Sequence, residues 1–172
     1  MGLQVDRKIA ESWLNEAVKR DPANQQAHYR HLFLLCQKWG GSHEAMFAFA
    51  RTTVNRIPPE STLNSILYLA FQEYVIFFKS FENKPELVQE LLLDKQVREE
   101  SIAIYQRSLE KRNTIEQVSD YWPHNVTAWW FLALDIPKIV RQETQKIGPH
   151  FTKYPWSLFY QDPKYNHKSC EE

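Results

Sequence analysis

Ser42–Pro59 reads SHEAMFAFARTTVNRIPP, and its stripe of Met46, Phe49, Ala50, Thr53 and Val54 falls at i, i+3, i+4, i+7 and i+8. That spacing lines one face of a 3.6-residue turn, whereas a half-buried strand alternates at every second residue. Ser42 supplies an N-cap hydroxyl, and Glu44 puts a negative charge near the positive end of the helix dipole. Pro58-Pro59 stops the helix, because proline has no amide hydrogen and crowds the preceding turn. The stretch predicts an α-helix bounded at both ends.

The same pattern continues in both directions. Upstream, Trp39-Gly40-Gly41 closes a helix striped by Tyr29, Leu32, Phe33 and Cys36, with Asp21 as its N-cap and Pro22 at its first position. Before it, Val5–Arg20 carries Ile9, Trp13 and Ala17, with Ala10, Leu14 and Val18 beside them on the face expected to pack. Downstream, a helix from Ser61 or Thr62 holds Leu63, Ile66, Leu67, Ala70, Phe71, Tyr74 and Phe78. It is apolar on more than one side, which predicts a central position. Pro85 opens a short helix through Leu93, and Asp94–Lys111 reads as a more exposed helix with Val97, Ile104, Tyr105 and Leu109 inward. Asn125 caps a helix holding Trp129, Leu132 and Ala133, and Pro137 starts one striped by Ile136, Ile139, Val140 and Ile147 that ends at Gly148-Pro149. The expected fold is all-α, stacked antiparallel helical hairpins in one domain over 1–165, with a polar tail at 166–172. A compact bundle of unequal hairpins is the alternative.

A chain of 172 residues with 43% hydrophobic and 14% aromatic residues can bury a core and is unlike a disordered sequence. The 21 basic and 21 acidic residues cancel, which argues against a broad nucleic-acid-binding face; Lys and Arg of the 95–112 helix are the one local exception to weigh. No apolar run reaches the ~20 residues of a membrane span, and the amphipathic N-terminus lacks a signal-peptide core. Cys36 sits in a helical stripe and Cys170 in a polar tail, so no disulfide is expected and a reducing cytoplasm is the simplest compartment.

Asp21-Pro22, Ala27, Gly40, Ala45, Phe49 and Pro58 resemble the landmarks of a degenerate tetratricopeptide unit. The wording KWGGSHEAMFAFAR (Lys38–Arg51) and HNVTAWWFLALDIPKIVRQETQKIG (His124–Gly148) is similar to a family of uncharacterised bacterial proteins with tetratricopeptide-like helices. The resemblance implies a helical-repeat architecture and a bacterial cytoplasmic origin, and it carries over no catalytic residue.

The chemistry-bearing residues form no catalytic motif. His43-Glu44 opens like a zinc-protease helix, but Phe47 stands where the second histidine belongs. His28 and His31 lie three apart without a carboxylate or cysteine beside them, so packing is expected and neither a metal nor a cofactor is implied. Cys36, among apolar neighbours, should be a buried thiol of raised pKa. Asp120, His124 and His150 in the aromatic third could do acid–base work, which makes a small enzyme the rival reading. The leading reading is a non-catalytic protein-interaction module, in its narrower form an inhibitor or immunity-type partner. Two contact regions are expected: an inner groove of Arg30, Asn64, Tyr68 and Gln72, and the adjacent Trp129 and Trp130, which cannot both face inward from one side of a helix. The expected partner is another protein or peptide, not a membrane.

Overall fold

The computed structural model describes residues 7–112, 115 and 117–158. All regular structure among them is helical, so the fold is all-α. Cys170 and the expected polar tail lie outside the described residues. The chain divides into two compact units, Met1–Arg112 and Asn113–Glu172, where the sequence reads a single domain over 1–165.

In the first unit, α1 (Arg7–Arg20), α2 (Gln25–Leu35), α3 (His43–Arg56) and α4 (Ile66–Ile76) pack each on the next. Local chemistry sets their ends. Asn24, and not Asp21, caps α2, its side chain accepting from the Ala27 amide at 2.9 Å. Asp21 instead accepts from the Ala23 amide, so Asp21-Pro22 forms the turn before the cap. Ser42 caps α3 as its sequence predicts, accepting from Ala45 at 3.1 Å. Between α2 and α3, Gly40 adopts a φ of 82°. Gly41 is needed for another reason: a Cβ there would lie 1.9 Å from the Leu35 carbonyl oxygen.

The central element is α4. Ile66, Leu67, Tyr68, Leu69, Ala70 and Phe71 are each at most 1% exposed, so this helix presents no wet face. The 3-10 turn Thr62–Ser65 leads into it, and α5 (Pro85–Leu93) and α6 (Lys95–Arg107) follow. Asp94 caps α6 by accepting from Gln96 and Val97. Val97, Ile104, Tyr105 and Leu109 are buried, as their spacing predicts. α1 departs from its expected packing. Ala10 is buried, but Ile9 and Trp13 are 49% and 62% exposed, so the packed edge of the helix is the Ala10 side.

The second unit is built on α7 (Tyr121–Ala133) and α8 (Pro137–Ile147), which pack extensively on each other. Pro123 sits in the first turn of α7, where a missing amide hydrogen costs little. Asn125 therefore lies inside the helix and is not its cap. Its Nδ2 donates to the Tyr121 and His150 carbonyls, and its Oδ1 accepts from the Thr152 amide and the Trp156 indole. Three of the four hydrogen bonds of this amide fasten residues 150–156 to α7.

Two substitutions test this packing. Phe71→Ala should cost about 3–5 kcal/mol in urea denaturation, since a large ring leaves a cavity in a dry core. Gly41→Ala should cost about 1–3 kcal/mol through forced backbone displacement. A loss well under ~1 kcal/mol for either would show that the site is not close-packed.

Candidate functional site

The expected inner groove does not form. Asn64, Tyr68 and Gln72 are all 0% exposed, while Arg30 alone of that set faces water. Tyr68 and Asn64 serve internal partners, while the buried Gln72 amide has no hydrogen-bond partner among the described residues. Tyr68 Oη donates to the Ser101 carbonyl at 2.9 Å, joining α4 to α6. Asn64 Nδ2 donates to the carbonyls of Pro58, Pro59 and Ser61, holding the loop before α4. A polar row at i+4 steps on a helix reads as a wet face, but here another helix covers it. Trp129 and Trp130 are likewise both buried, at 3% and 0% exposure, so neither presents a ring to a partner.

The histidines of the first unit are packing residues. His28 and His31 both lie against the Phe49 ring, with centroids 6.1 and 4.8 Å away. His28 Nδ1 donates to the Asn24 carbonyl, which places its proton on that nitrogen. Burial lowers the pKa of both rings, and of His43, below the ordinary 6.5. No group of three or more potential metal ligands occurs among the described residues. Cys36 matches its expectation. Burial, and then the Glu73 carboxylate, push its thiol up to about 12, and its sulfur packs against Met46.

The densest charged array lies in the second unit. His124 and Glu143 are both 0% exposed, with Nδ1 donating to Oε2 at 2.5 Å. Lys146 Nζ reaches the other carboxylate oxygen at 2.8 Å. His124 Nε2 is buried with no hydrogen-bond partner. A carboxylate-oriented imidazole is the arrangement a general base needs, yet neither group is open to a substrate. Its evident work is to join α7 to α8. The other two acid–base candidates do not converge on it as a set: Asp120 is buried at the start of α7, and His150 is exposed with its ring on Tyr121. Glu143 escapes sequence reading because it stands 19 residues from its partner and lies in an ordinary charged helix.

Among the described residues, large hydrophobic side chains are exposed at Ile9, Trp13, Trp39, Phe81, Leu93, Val118 and Phe151, and of these Ile9 and Trp13 stand four residues apart on one face of α1. No helix among the described residues is long and apolar enough to cross a membrane. No family model, no curated protein and no solved structure matches the chain.

Two measurements bear on these groups. Glu143→Ala should cost about 3–5 kcal/mol, because it strands the fully buried His124 donor in a dry interior. The lowered histidines give a pH signature. The unfolded chain binds protons more readily than the folded one, so their contribution is complete above about pH 6.5 and is lost as pH falls toward the lowered values. His28→Gln with His31→Gln should flatten the decline of unfolding free energy between about pH 7 and 5. An unchanged slope would show that the two rings titrate alike in both states.

Proposed function

We propose that the chain is a protein-interaction module that docks the outer face of α1 into an apolar groove of another protein. The observation that carries this is the exposure of Ile9 and Trp13, 49% and 62%, on a 14-residue helix. Water-exposed tryptophan is costly to leave uncovered, and an amphipathic helix with anchors at i and i+4 suits a helix-receiving groove. Ala10, buried on the other edge, keeps the helix seated against α2 and its anchors turned outward. Full burial of His124 and Glu143 is why this reading is preferred to a small enzyme.

The tetratricopeptide-like architecture belongs to the same proposal, supported by α2 packing on α3 and α3 on α4. So does a bacterial cytoplasmic setting, which suits the buried free thiol of Cys36. In the narrower, immunity-type form, the bound protein would lose its own activity.

The test pairs capture with stability. Tagged native protein should retain a partner from host lysate, and Trp13→Ala and Ile9→Asp should each lose it. Both should keep the native circular dichroism spectrum and unfold within about 0.5 kcal/mol of the native protein. Arg30→Ala and Glu99→Ala should retain the partner. Equal capture by all five proteins would place the contact elsewhere on the molecule.

A further inference from the structure

Between α3 and α6 the first unit holds a cleft of about 190 Å3, lined by Arg51, Val54, Glu100, Ala103, Ile104 and Arg107 among others. Its charges are unevenly matched. Arg51 grips Glu100 with a two-point fork, Nε to Oε1 at 2.8 Å and Nη2 to Oε2 at 2.9 Å. Arg107 has only neutral acceptors: its Nη2 donates to the Val54 carbonyl at 2.5 Å and to Asn64 Oδ1 at 3.2 Å. Its Nε is buried with no hydrogen-bond partner among the described residues, so the guanidinium's hydrogen-bonding capacity is not fully matched inside the protein. Two guanidiniums and one carboxylate line the cleft, which leaves one positive charge in excess.

We propose that this cleft binds a single carboxylate carried on a short apolar body. The guanidinium of Arg107 is the residue that holds it, since a planar fork matches carboxylate geometry and already lacks an anionic partner. Val54, Ala103 and Ile104 supply apolar wall for the carbons that carry the acid. Size limits the ligand. Pockets for drug-sized molecules run to about 300–1,000 Å3, and this one admits a few carbons. Charge limits it further, because a phosphate dianion would meet the Glu100 carboxylate on the same wall and overmatch the single excess charge. A free short-chain acid and the side chain of a glutamate in a peptide offer the same chemistry.

The experiment uses the full chain labelled with 15N and four probes: butyrate, its neutral isostere butyramide, acetyl-glutamyl amide and inorganic phosphate. Saturable shifts are expected at the Asn55 and Ala103 amides and at the Arg107 side-chain N–H. They should come from butyrate, from acetyl-glutamyl amide, or from both, the stronger of the two naming the source. Butyramide should bind at least about tenfold more weakly. Glu100→Gln should tighten carboxylate binding several-fold, by removing the competing anion and freeing Arg51. Arg107→Gln should abolish it. Because Arg107 also holds the Val54 carbonyl and Asn64, Ala103→Leu serves as a second variant, filling the cleft from its exposed wall and abolishing binding with the fold intact. The proposal is overturned by any one of four results: no saturable shift from either carboxylate, equal binding of butyramide, tighter binding of phosphate than of butyrate, or weaker binding in Glu100→Gln.

Discussion

A helix with no solvent face imposes terms on everything around it, and α4 is such a helix. Its apolar residues need only be covered, but its polar ones must be answered inside the protein, since an unanswered buried donor or acceptor costs about 1–3 kcal/mol. Tyr68 is answered by the Ser101 carbonyl, which fixes where α6 crosses. Glu73 is answered by Lys38 at 2.5 Å, which fixes the turn after α2. Just upstream, Asn64 binds three carbonyls of the preceding loop and accepts from Arg107. Tyr29 and Gln25 of α2 reach Ser65 and Thr62 in the same turn. The course of α6, the turn after α2 and the loop before α4 are thus each tied to a polar residue on or beside one buried helix, with the Gln72 amide the buried group on α4 that has no hydrogen-bond partner among the described residues.

The second unit uses the same device on a smaller scale. The Glu143 carboxylate takes His124 on one oxygen and Lys146 on the other, so its burial is matched on both sides. Such an array contributes little net stability compared with well-packed apolar residues, but it penalises any arrangement that separates its members. In both units the buried polar side chains named here act as internal fasteners.

Sequence reading succeeds where the signal is local. Ser42, Asp94, Pro85 and Pro137 mark helix starts because capping and proline geometry act within one turn, and the all-round apolarity of Ile66–Phe71 announces a central helix. It fails where a distant segment decides. Tyr68 and Gln72 look wet until α6 and the rest of the core enclose them. Ile9 and Trp13 look like core by spacing, but periodicity states which residues share a face and not whether anything covers it. Asn125 looks like a cap because asparagine prefers caps, yet the carbonyl of His150, 25 residues on, gives it interior work. The cleft between α3 and α6 carries no motif at all; an unmatched arginine becomes visible only when its neighbours are known.

The amide of Asn125 has a direction. Its nitrogen faces two carbonyl oxygens and its oxygen faces two N–H groups, so neither orientation nor identity can be exchanged without loss. Chemical ageing of the protein gives this asymmetry a concrete outcome. Hydrolysis of that amide to a carboxylate would replace two donors with an oxygen aimed at the Tyr121 and His150 carbonyls, turning attraction into repulsion on that side. One atom's change in one side chain would thereby push the His150 carbonyl away from α7, while the Thr152 amide and the Trp156 indole would still donate to the new carboxylate and the apolar packing of α7 on α8 would stay untouched.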